Sequence, residues 1–402
     1  ATTNTDRQLQ AQFAQQIQIQ NPNLPSNTVQ LQAQQQLDTF KNQNPAQYQE
    51  QVDTFTSQLK SQYQKPNGEP YLIAIDPYFY WRLTQNVLDH GYAADTIKDG
   101  EPWNTYKFAP LGTRQSTPGH TQLAAWASKI LSPLTGLSPY MIFFILPSVV
   151  ASIAVIPSFF LGKRFGGQLG GFIAALITVT HQVFVSRTVA GFSDTDGYNV
   201  TMPLFIFWFT AEAMNAKRRT KQAIWGLLTV FTVFAFSNLW KGWWLTYVIM
   251  ASAIAGSLLH NYLRELFFEW KQSSNVQWIE KGKQLFGMPQ ALTSISIIVT
   301  PLVLIALNNG LRTILFIDTI LSSIGIQNAA KPDLWPNVLT TVAELGARSF
   351  NSIIGSFGSQ LFVYIALIGS LLPLLPKKIE KKIEKQVYYG YLAVSAFILA
   401  IP

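Results

Sequence analysis

Acidic side chains at three places in the chain are of the type that binds metal ions. The stretch SRTVAGFSDTDGYNV, residues 186–200, sets Asp194 and Asp196 two positions apart between two apolar runs. A carboxylate at the edge of an apolar segment is costly unless it faces water, a partner or a metal ion. Asp76 in AIDPYFYWR and Glu344 in TTVAELGARSF are further candidates. Such oxygen ligands suit Mg²⁺ or Mn²⁺, although each acid alone also fits a helix cap or a solvated loop charge.

The composition is that of a membrane protein with several spans. Charged residues make up 12% and aromatic residues 13% of the 402 residues, whereas soluble domains contain about 25% charged residues. The formal net charge of +8 would also fit nucleic acid, but the Lys and Arg clusters lie between apolar runs, where membrane topology explains them better. No nucleic-acid partner is therefore expected. The absence of Cys excludes a disulfide framework and a thiolate site.

The N-terminal segment, residues 1–65, is polar and rich in Gln. Its apolar residues keep helical spacing, as Leu9, Phe13 and Ile17 do. This spacing favours a small helical hairpin over a prion-like tract. A mixed, aromatic-rich segment follows at 66–138.

Apolar runs predict an all-α polytopic membrane protein, with a transmembrane domain of about eight helical spans over residues 139–402. Most of them are near the length that crosses about 30 Å of hydrocarbon. They lie at 139–161, 168–186, 199–215, 222–240, 243–259, 290–308, 351–376 and 387–402.

The charges of the connections predict the orientation of these spans. Every second connection is basic, at 162–167, 216–221, 260–288 and 377–386. Positive-inside bias places these in the cytoplasm and leaves 1–138, 187–198 and 309–350 outside. Because no apolar signal segment precedes the polar start, we expect a first transmembrane helix or a removed signal upstream of Ala1. The four candidate acids then fall on one membrane face, where three separate segments can form one site.

These motifs resemble those of the catalytic subunit of oligosaccharyltransferase. SRTVAGFSDTDGYN is similar to the second acidic motif of that family, and DPYFYWR to its first. APLGTRQSTPGH resembles the Pro-Leu-Gly-x-Arg and Thr-Pro-Gly elements of the same loop, and TVAE, residues 341–344, the Thr-Ile-x-Glu motif. NLWKGWW stands where the family carries a Trp- and Gly-rich turn. The resemblance covers roughly residues 70–402 in the family's order, and the archaeal branch fits best.

Two departures from the family pattern accompany the resemblance. The C-terminal soluble domain, with its Trp-Trp-Asp-Tyr-Gly motif, has no counterpart here, and neither has the first transmembrane helix. We therefore expect this chain to be part of a longer protein. The Gln-rich helices look like an insertion in the first external loop.

The resemblance implies a fold, a reaction and a metal. It implies a glycosyltransferase transmembrane domain of GT-C type with a large first external loop. The implied reaction transfers an oligosaccharide from a polyprenyl (dolichyl) phosphate or pyrophosphate carrier to Asn of Asn-x-Ser/Thr sequons. It also implies that Mn²⁺ or Mg²⁺ binds to Asp76, Asp194, Asp196 and Glu344 and stabilises the leaving phosphate, with Asp76 and Glu344 contacting the acceptor amide. The partners would be the lipid-linked donor, a sequon-containing polypeptide and membrane lipids.

Other polar residues are weaker candidates for the site. Arg187 is a candidate to pair with the Asp-x-Asp acids and support them. Arg114, His120 and Lys241 could face a donor phosphate, or could be solvated external charges. The tryptophans of NLWKGWW are expected to anchor the membrane interface, with sugar or lipid contact as the alternative.

Three other functions remain open from the sequence. The first is a different polyprenyl-phosphate glycosyltransferase with a lipid acceptor. The second is a transporter or channel, which is disfavoured because transporters place ionisable groups near the bilayer midplane and carry internal repeats. The third is a structural subunit.

Overall fold

The computed structural model describes residues 2–272, 289–310, 349 and 352, and these are mostly helical. The chain forms two compact units, Ala1–Ile73 and Ala74–Pro402. Glu344 and the predicted spans 351–376 and 387–402 lie outside the described residues. The elements are α1 (Thr2–Gln20), α2 (Ser26–Gln43), α3 (Pro45–Tyr63), α4 (Ile75–His90), β1 (Thr96–Lys98), β2 (Glu101–Asn104), β3 (Thr113–Arg114), α5 (Gly119–Thr135), α6 (Pro139–Ile153), α7 (Val155–Thr180), α8 (Gln182–Thr188), α9 (Asp196–Asn215), α10 (Arg219–Leu239), α11 (Trp243–Gln272) and α12 (Pro289–Asn309).

The first unit contains three helices, one more than the predicted hairpin. Ile17 of α1 packs against Val29 and Ala33 of α2, so the apolar residues at helical spacing form its core. Asp6 joins all three helices, because its carboxylate accepts hydrogen bonds from Lys41 Nζ at 2.9 Å and from the Tyr48 hydroxyl at 2.8 Å.

The segment between residues 74 and 138 contains two helices and a small antiparallel sheet. Leu83 and Val87 of α4 pack with Ala93 and with Ala125 of α5. Strand β2 pairs with β1 on one side and with β3 on the other. The prediction of an all-helical fold missed this sheet because its strands have three, four and two residues. Runs this short show no alternating pattern.

A polar network around Arg82 holds the sheet against α4. The Arg82 guanidinium donates to Asp95 and, at 3.3 Å, to Asn104 Oδ1. Asp95 also accepts the backbone N–H of Thr105 at 2.9 Å. Asn104 is fully buried, so its amide is satisfied within the network, where Nδ2 donates to Gln115 at 3.0 Å. The long loop before α5 is thereby fixed in place.

The described residues of the second unit after residue 138 form a helical bundle of a multi-pass membrane protein. Among the described residues, four helical stretches are long and apolar enough to cross a membrane: Pro139–Thr180, Arg219–Leu239, Trp243–His260 and Ala291–Asn309. The last three match predicted spans at 222–240, 243–259 and 290–308. The predicted span 199–215 falls in α9, which is a helix but is not one of these four.

The stretch Pro139–Thr180 covers the predicted span 139–161 and most of the predicted span 168–186, with a reversal between them. The second span is shorter than predicted, because α7 ends at Thr180 and the separate helix α8 follows. Inside α7, Gly166 and Gly167 have non-helical backbone angles, and φ of Gly167 is +63°. The segments on either side pack together so closely that a Cβ on Gly162 would lie 2.5 Å from the Gly170 carbonyl oxygen. The predicted connection 162–167 therefore ends in a tight turn that Gly166 and Gly167 form.

Apolar side chains occupy both the interior and the outer surface of the bundle. Phe236, Met250 and Ile297 belong to its core, which joins α9, α10, α11 and α12. Phe231 is 67% exposed and Leu307 80% exposed on the same helices. A helix that is apolar all round is typical of a membrane span, and lipid would cover these outer faces.

Candidate active site

Asp76 lies in the first turn of α4 and is exposed. A carboxylate in this turn is stabilised by the positive end of the helix dipole. Tyr80 follows four residues later, which places it one turn along the same helical face. Sequence reasoning missed Tyr80, although its spacing from Asp76 was available.

Asp194 and Asp196 lie where a tight loop enters α9. The loop begins after α8, and the Gly191 amide anchors it by donating to the Phe144 carbonyl at 2.7 Å. Gly191 has φ of +95°, and a Cβ there would lie 2.7 Å from the Phe144 ring. Both the backbone conformation and the close approach therefore require glycine. Asp196 is the first residue of α9. The Asp194 carboxylate accepts a hydrogen bond from the backbone N–H of Thr195.

Asp76, Asp194 and Asp196 are close enough together for their charges to act on the same groups. Burial raises the pKa of Asp194, the Thr195 amide hydrogen bond opposes this, and the charges of Asp196 and Asp76 raise it further. Burial, together with the charges of Asp194 and Asp76, raises the pKa of Tyr80 to about 12. The structure thus brings Asp76 near the Asp-x-Asp loop from a separate segment.

Arg187 contacts Asp196, one of the two acids with which the sequence suggests that it pairs. Its guanidinium lies 3.4 Å from the Asp196 carboxylate and 5.4 Å from the centre of the Phe192 ring. The pair is partly exposed, so it contributes little stability but can orient the carboxylate.

His120 has a different environment from the one expected. The sequence suggested a residue facing donor phosphate or a solvated charge, yet His120 is 1% exposed. Its Nδ1 lies 2.9 Å from the Tyr198 hydroxyl and its Nε2 3.3 Å from Ser193 Oγ. Burial lowers the pKa of His120 to about 4, so the ring is neutral at pH 7. The interpretation as a solvated charge is wrong, because packing by neighbouring helices excludes water from the ring.

The other two candidate phosphate ligands lie at the surface. Arg114 is on β3 and pairs with Glu101 at 2.9 Å, with its side chain 70% exposed. Lys241 is exposed in the turn between α10 and α11. The described contacts do not join either residue to the three acids.

The tryptophans of NLWKGWW are mainly packing residues. Trp243 is only 3% exposed and belongs to the bundle core. Trp240 stacks on Phe236 with ring centroids 5.8 Å apart, and the turn at Gly242 passes directly over its ring. The prediction that Trp243 anchors the interface is wrong, since the helix begins there and turns its side chain inward.

The part of the chain that is described does not contain a complete metal site. Within residues 2–272 and 289–310, no group of three or more His, Asp or Glu side chains is close enough to hold a metal ion. Glu344, the fourth predicted ligand, lies outside the described residues.

Comparison with known proteins shows which family model this sequence matches. The family model "Oligosaccharyl transferase STT3, N-terminal" matches residues 50–379. A dolichyl-phosphooligosaccharide-protein glycotransferase of Methanococcus voltae is 31% identical over 326 residues, which cover 77% of this chain and 35% of that protein. An undecaprenyl-diphosphooligosaccharide–protein glycotransferase of Campylobacter jejuni is 24% identical over 323 residues, covering 73% of this chain and 42% of that protein. The chain thus spans about a third of the length of the first relative.

A solved structure has a similar fold. It is the crystal structure of the Archaeoglobus fulgidus oligosaccharyltransferase tethered to an acceptor peptide that contains the NVT sequon. The TM-score is 0.50 at 14% identity, and the match covers 82% of this chain and 43% of the other. At this identity the likeness concerns the fold alone.

Proposed function

The chain belongs to the oligosaccharyl transferase STT3 family, and we propose that it transfers an oligosaccharide from a lipid carrier to protein. The carrier is a polyprenyl phosphate or pyrophosphate, and the acceptor is the Asn of an Asn-x-Ser/Thr sequon. The names of the M. voltae and C. jejuni relatives describe such a transfer to protein. The observation that carries the proposal is that Asp76, on a separate helix, lies close enough to the acidic loop for its charge to raise the pKa of Asp194.

Asp76, Asp194, Asp196 and Glu344 would hold a divalent cation. The donors fit such an ion, because carboxylate oxygens suit Mg²⁺ and Mn²⁺. The charges of Asp196 and Asp76 also raise the pKa of the half-buried Asp194, and this concentration of negative charge is what a cation relieves. A cation bound there would supply a Lewis acid for the leaving phosphate.

The protein's own side chains have two tasks. An amide nitrogen is a poor nucleophile, so Asp76 and Glu344 accept hydrogen bonds from the acceptor NH₂ group and weaken its conjugation with the carbonyl. Asp76 is exposed at the tip of α4 and is therefore accessible to a peptide. Exposed Arg114 and Lys241 attract the donor phosphate electrostatically.

We place this site on the external face of the membrane. Asp196 begins α9, and the basic cluster Lys217–Lys221 follows its other end. The 20 residues of α9 extend about 30 Å, which is the thickness of the hydrocarbon core. Positive-inside bias puts the basic end in the cytoplasm and the acidic end outside.

The substitution Asp194→Asn tests the site, because it keeps the shape of the side chain and removes its charge. In the complete protein as encoded in its gene, we expect D194N to lower transfer by orders of magnitude while expression is unchanged. The assay follows transfer from a native lipid-linked oligosaccharide to a fluorescent Asn-x-Thr peptide, and chelation should abolish it until Mn²⁺ or Mg²⁺ is restored.

The matched control is Asp89→Asn, which alters an exposed acid at the other end of α4 and should leave transfer unchanged. A peptide with Gln in place of Asn controls for specificity. If D194N kept wild-type turnover at saturating Mn²⁺, the metal site would be refuted and a role at the helix end would replace it.

A further inference from the structure

The side chain of His120 contacts residues that are close in sequence to each of the three described acids. Its ring meets Tyr80 edge-on, with centroids 5.1 Å apart, and Tyr80 lies one turn after Asp76. Its Nε2 reaches Ser193 Oγ, in the residue before Asp194. Its Nδ1 reaches the Tyr198 hydroxyl, two residues after Asp196. One side chain on α5 therefore joins α4, the acidic loop and α9.

These contacts are enclosed. His120 is 1% exposed, Ser193 is fully buried and Tyr198 is 2% exposed, and Phe143 covers the ring with its centroid 5.7 Å away. Hydrogen bonds from which water is excluded are strong and geometrically restrictive. The α5 end is itself held in place, since a Cβ on Gly119 would overlap the Asn238 carbonyl. The cluster is thus anchored to the bundle rather than to the surface.

A neutral imidazole suits this position particularly well. It presents one donor nitrogen and one acceptor nitrogen on opposite edges. The hydroxyls of Ser193 and Tyr198 can each donate or accept, so either tautomer satisfies both contacts. The flat ring also leaves its face and edge to Tyr80 and Phe143. An aliphatic residue would fill the space without fixing the direction of the loop.

We infer that His120 is a positioning residue that holds the Asp194–Asp196 loop against the start of α4 and so sets the spacing of the carboxylates. This inference rests on the proposed function only for the identity of what the carboxylates bind. The negative charges of the acids repel one another, and a rigid connection between their segments opposes their separation. Residues that orient metal ligands in this way typically contribute about 10- to 100-fold to metal affinity.

The first test measures Mn²⁺ binding to the complete, detergent-solubilised protein by electron paramagnetic resonance. We expect His120→Phe, which keeps the ring and loses both hydrogen bonds, to raise the Kd for Mn²⁺ about tenfold or more. Ser193→Ala removes one bond with less risk to folding and should act in the same direction. His120→Gln, whose amide can reach Ser193, should recover part of the affinity.

In transfer assays, the Mn²⁺ concentration for half-maximal rate should rise more than kcat falls. The control is His90→Gln, which changes an exposed residue at the end of α4.

The second test needs no metal. These 402 residues contain no native Cys, so spin labels attached through Ile75→Cys and Val189→Cys report the distance from α4 to the loop, and protein without these two substitutions controls for any other label. The two positions are 87% and 43% exposed. The distance distribution should broaden when H120F or S193A is added, and H90Q should leave it unchanged.

The outcomes separate the two proposals. If wild-type protein binds neither Mn²⁺ nor Mg²⁺, the metal site of the proposed function fails, and the label distances still decide whether His120 positions the loop. If wild type binds Mn²⁺ but folded H120F and S193A bind it equally tightly with unchanged distances, the positioning role is overturned.

Discussion

At the scale of single residues, burial divides side chains that the sequence presents as equivalent. His120 and Arg114 both follow the PLG element within one short stretch, yet His120 is 1% exposed and the Arg114 side chain is 70% exposed. Burial makes the first a neutral hydrogen-bonding group, while the second remains a solvated cation paired with Glu101. Their chemistry differs because water reaches one and not the other.

Asp95 gives a prediction about pH at this scale. Burial alone would raise its pKa, but hydrogen bonds from Arg82, Thr105 and Asn86 lower the pKa below the ordinary value of 3.8. A carboxyl with a lowered folded-state pKa stabilises the protein above its unfolded pKa, and this contribution is lost as the pH falls through the folded value. We expect Asp95→Asn to lower the free energy of unfolding by about 1–3 kcal/mol at pH 7. The free energy of unfolding of this variant should also fall less than that of the wild type between pH 5 and pH 3.

The measurement for Asp95 is tryptophan-monitored unfolding of detergent-solubilised protein across that pH range. Exposed Asp89→Asn is the control and should retain the wild-type curve. Equal stability of D95N and wild type at pH 7 would show that the Arg82 network does not hold the sheet.

At the scale of elements, glycines decide how closely helices approach. A Cβ on Gly162 would lie 2.5 Å from Ala174 Cβ as well as from the Gly170 carbonyl, across the reversal in α7. Small residues at such contacts let backbones pack closely, which is a main source of helix association in lipid. At Gly166, by contrast, an added Cβ would meet nothing within 4 Å.

These two glycines make a matched pair of substitutions. Gly162→Ala should destabilise the protein by about 1–3 kcal/mol, because the helices must move apart to admit the methyl group. Gly166→Ala should be close to neutral. Thermal unfolding in one detergent measures both, and the packing explanation would be contradicted if the two variants unfolded at the same temperature.

At the scale of the whole molecule, the surface of the second unit combines apolar helix faces with charged ends. Leu227 and Phe231 of α10 are each 67% exposed, and a patch of this kind on a soluble protein would cause association. The Lys and Arg residues after α9 are exposed at one end of that helix, and the acids lie at the other. Lipid around the faces and water at both ends account for this arrangement.

The orientation of the molecule can be measured by labelling single cysteines in intact cells. Tyr106→Cys, at a position 74% exposed in the loop between β2 and β3, should react with a maleimide that cannot cross the membrane. Arg219→Cys, in the basic cluster, should react only after the cells are permeabilised. These 402 residues contain no Cys, and the protein without either substitution is the control that measures background labelling. Labelling at 219 but not at 106 would invert the topology and place the acids in the cytoplasm.

The sequence by itself determined the class of protein and most of the helices, and it supplied the acids that we propose for the site. Apolar runs at 222–240, 243–259 and 290–308 are long enough that hydrophobicity alone identifies them, and the helices α10, α11 and α12 lie there. The acidic motifs were recognisable because their residues are close together in the chain. Helical spacing likewise revealed the N-terminal helices, since Leu9 and Ile17 are buried where the pattern places them.

Only the tertiary structure decided which residues surround the acids and which residues are buried. The contacts of His120 with Tyr80, Ser193 and Tyr198 join residues 40 to 78 positions apart, and no local pattern encodes such pairs. The inward packing of Trp243 and the short sheet also depend on neighbours distant in sequence. The physical reason is that burial and hydrogen bonding are properties of the assembled bundle, whereas hydrophobicity and spacing are properties of each segment alone.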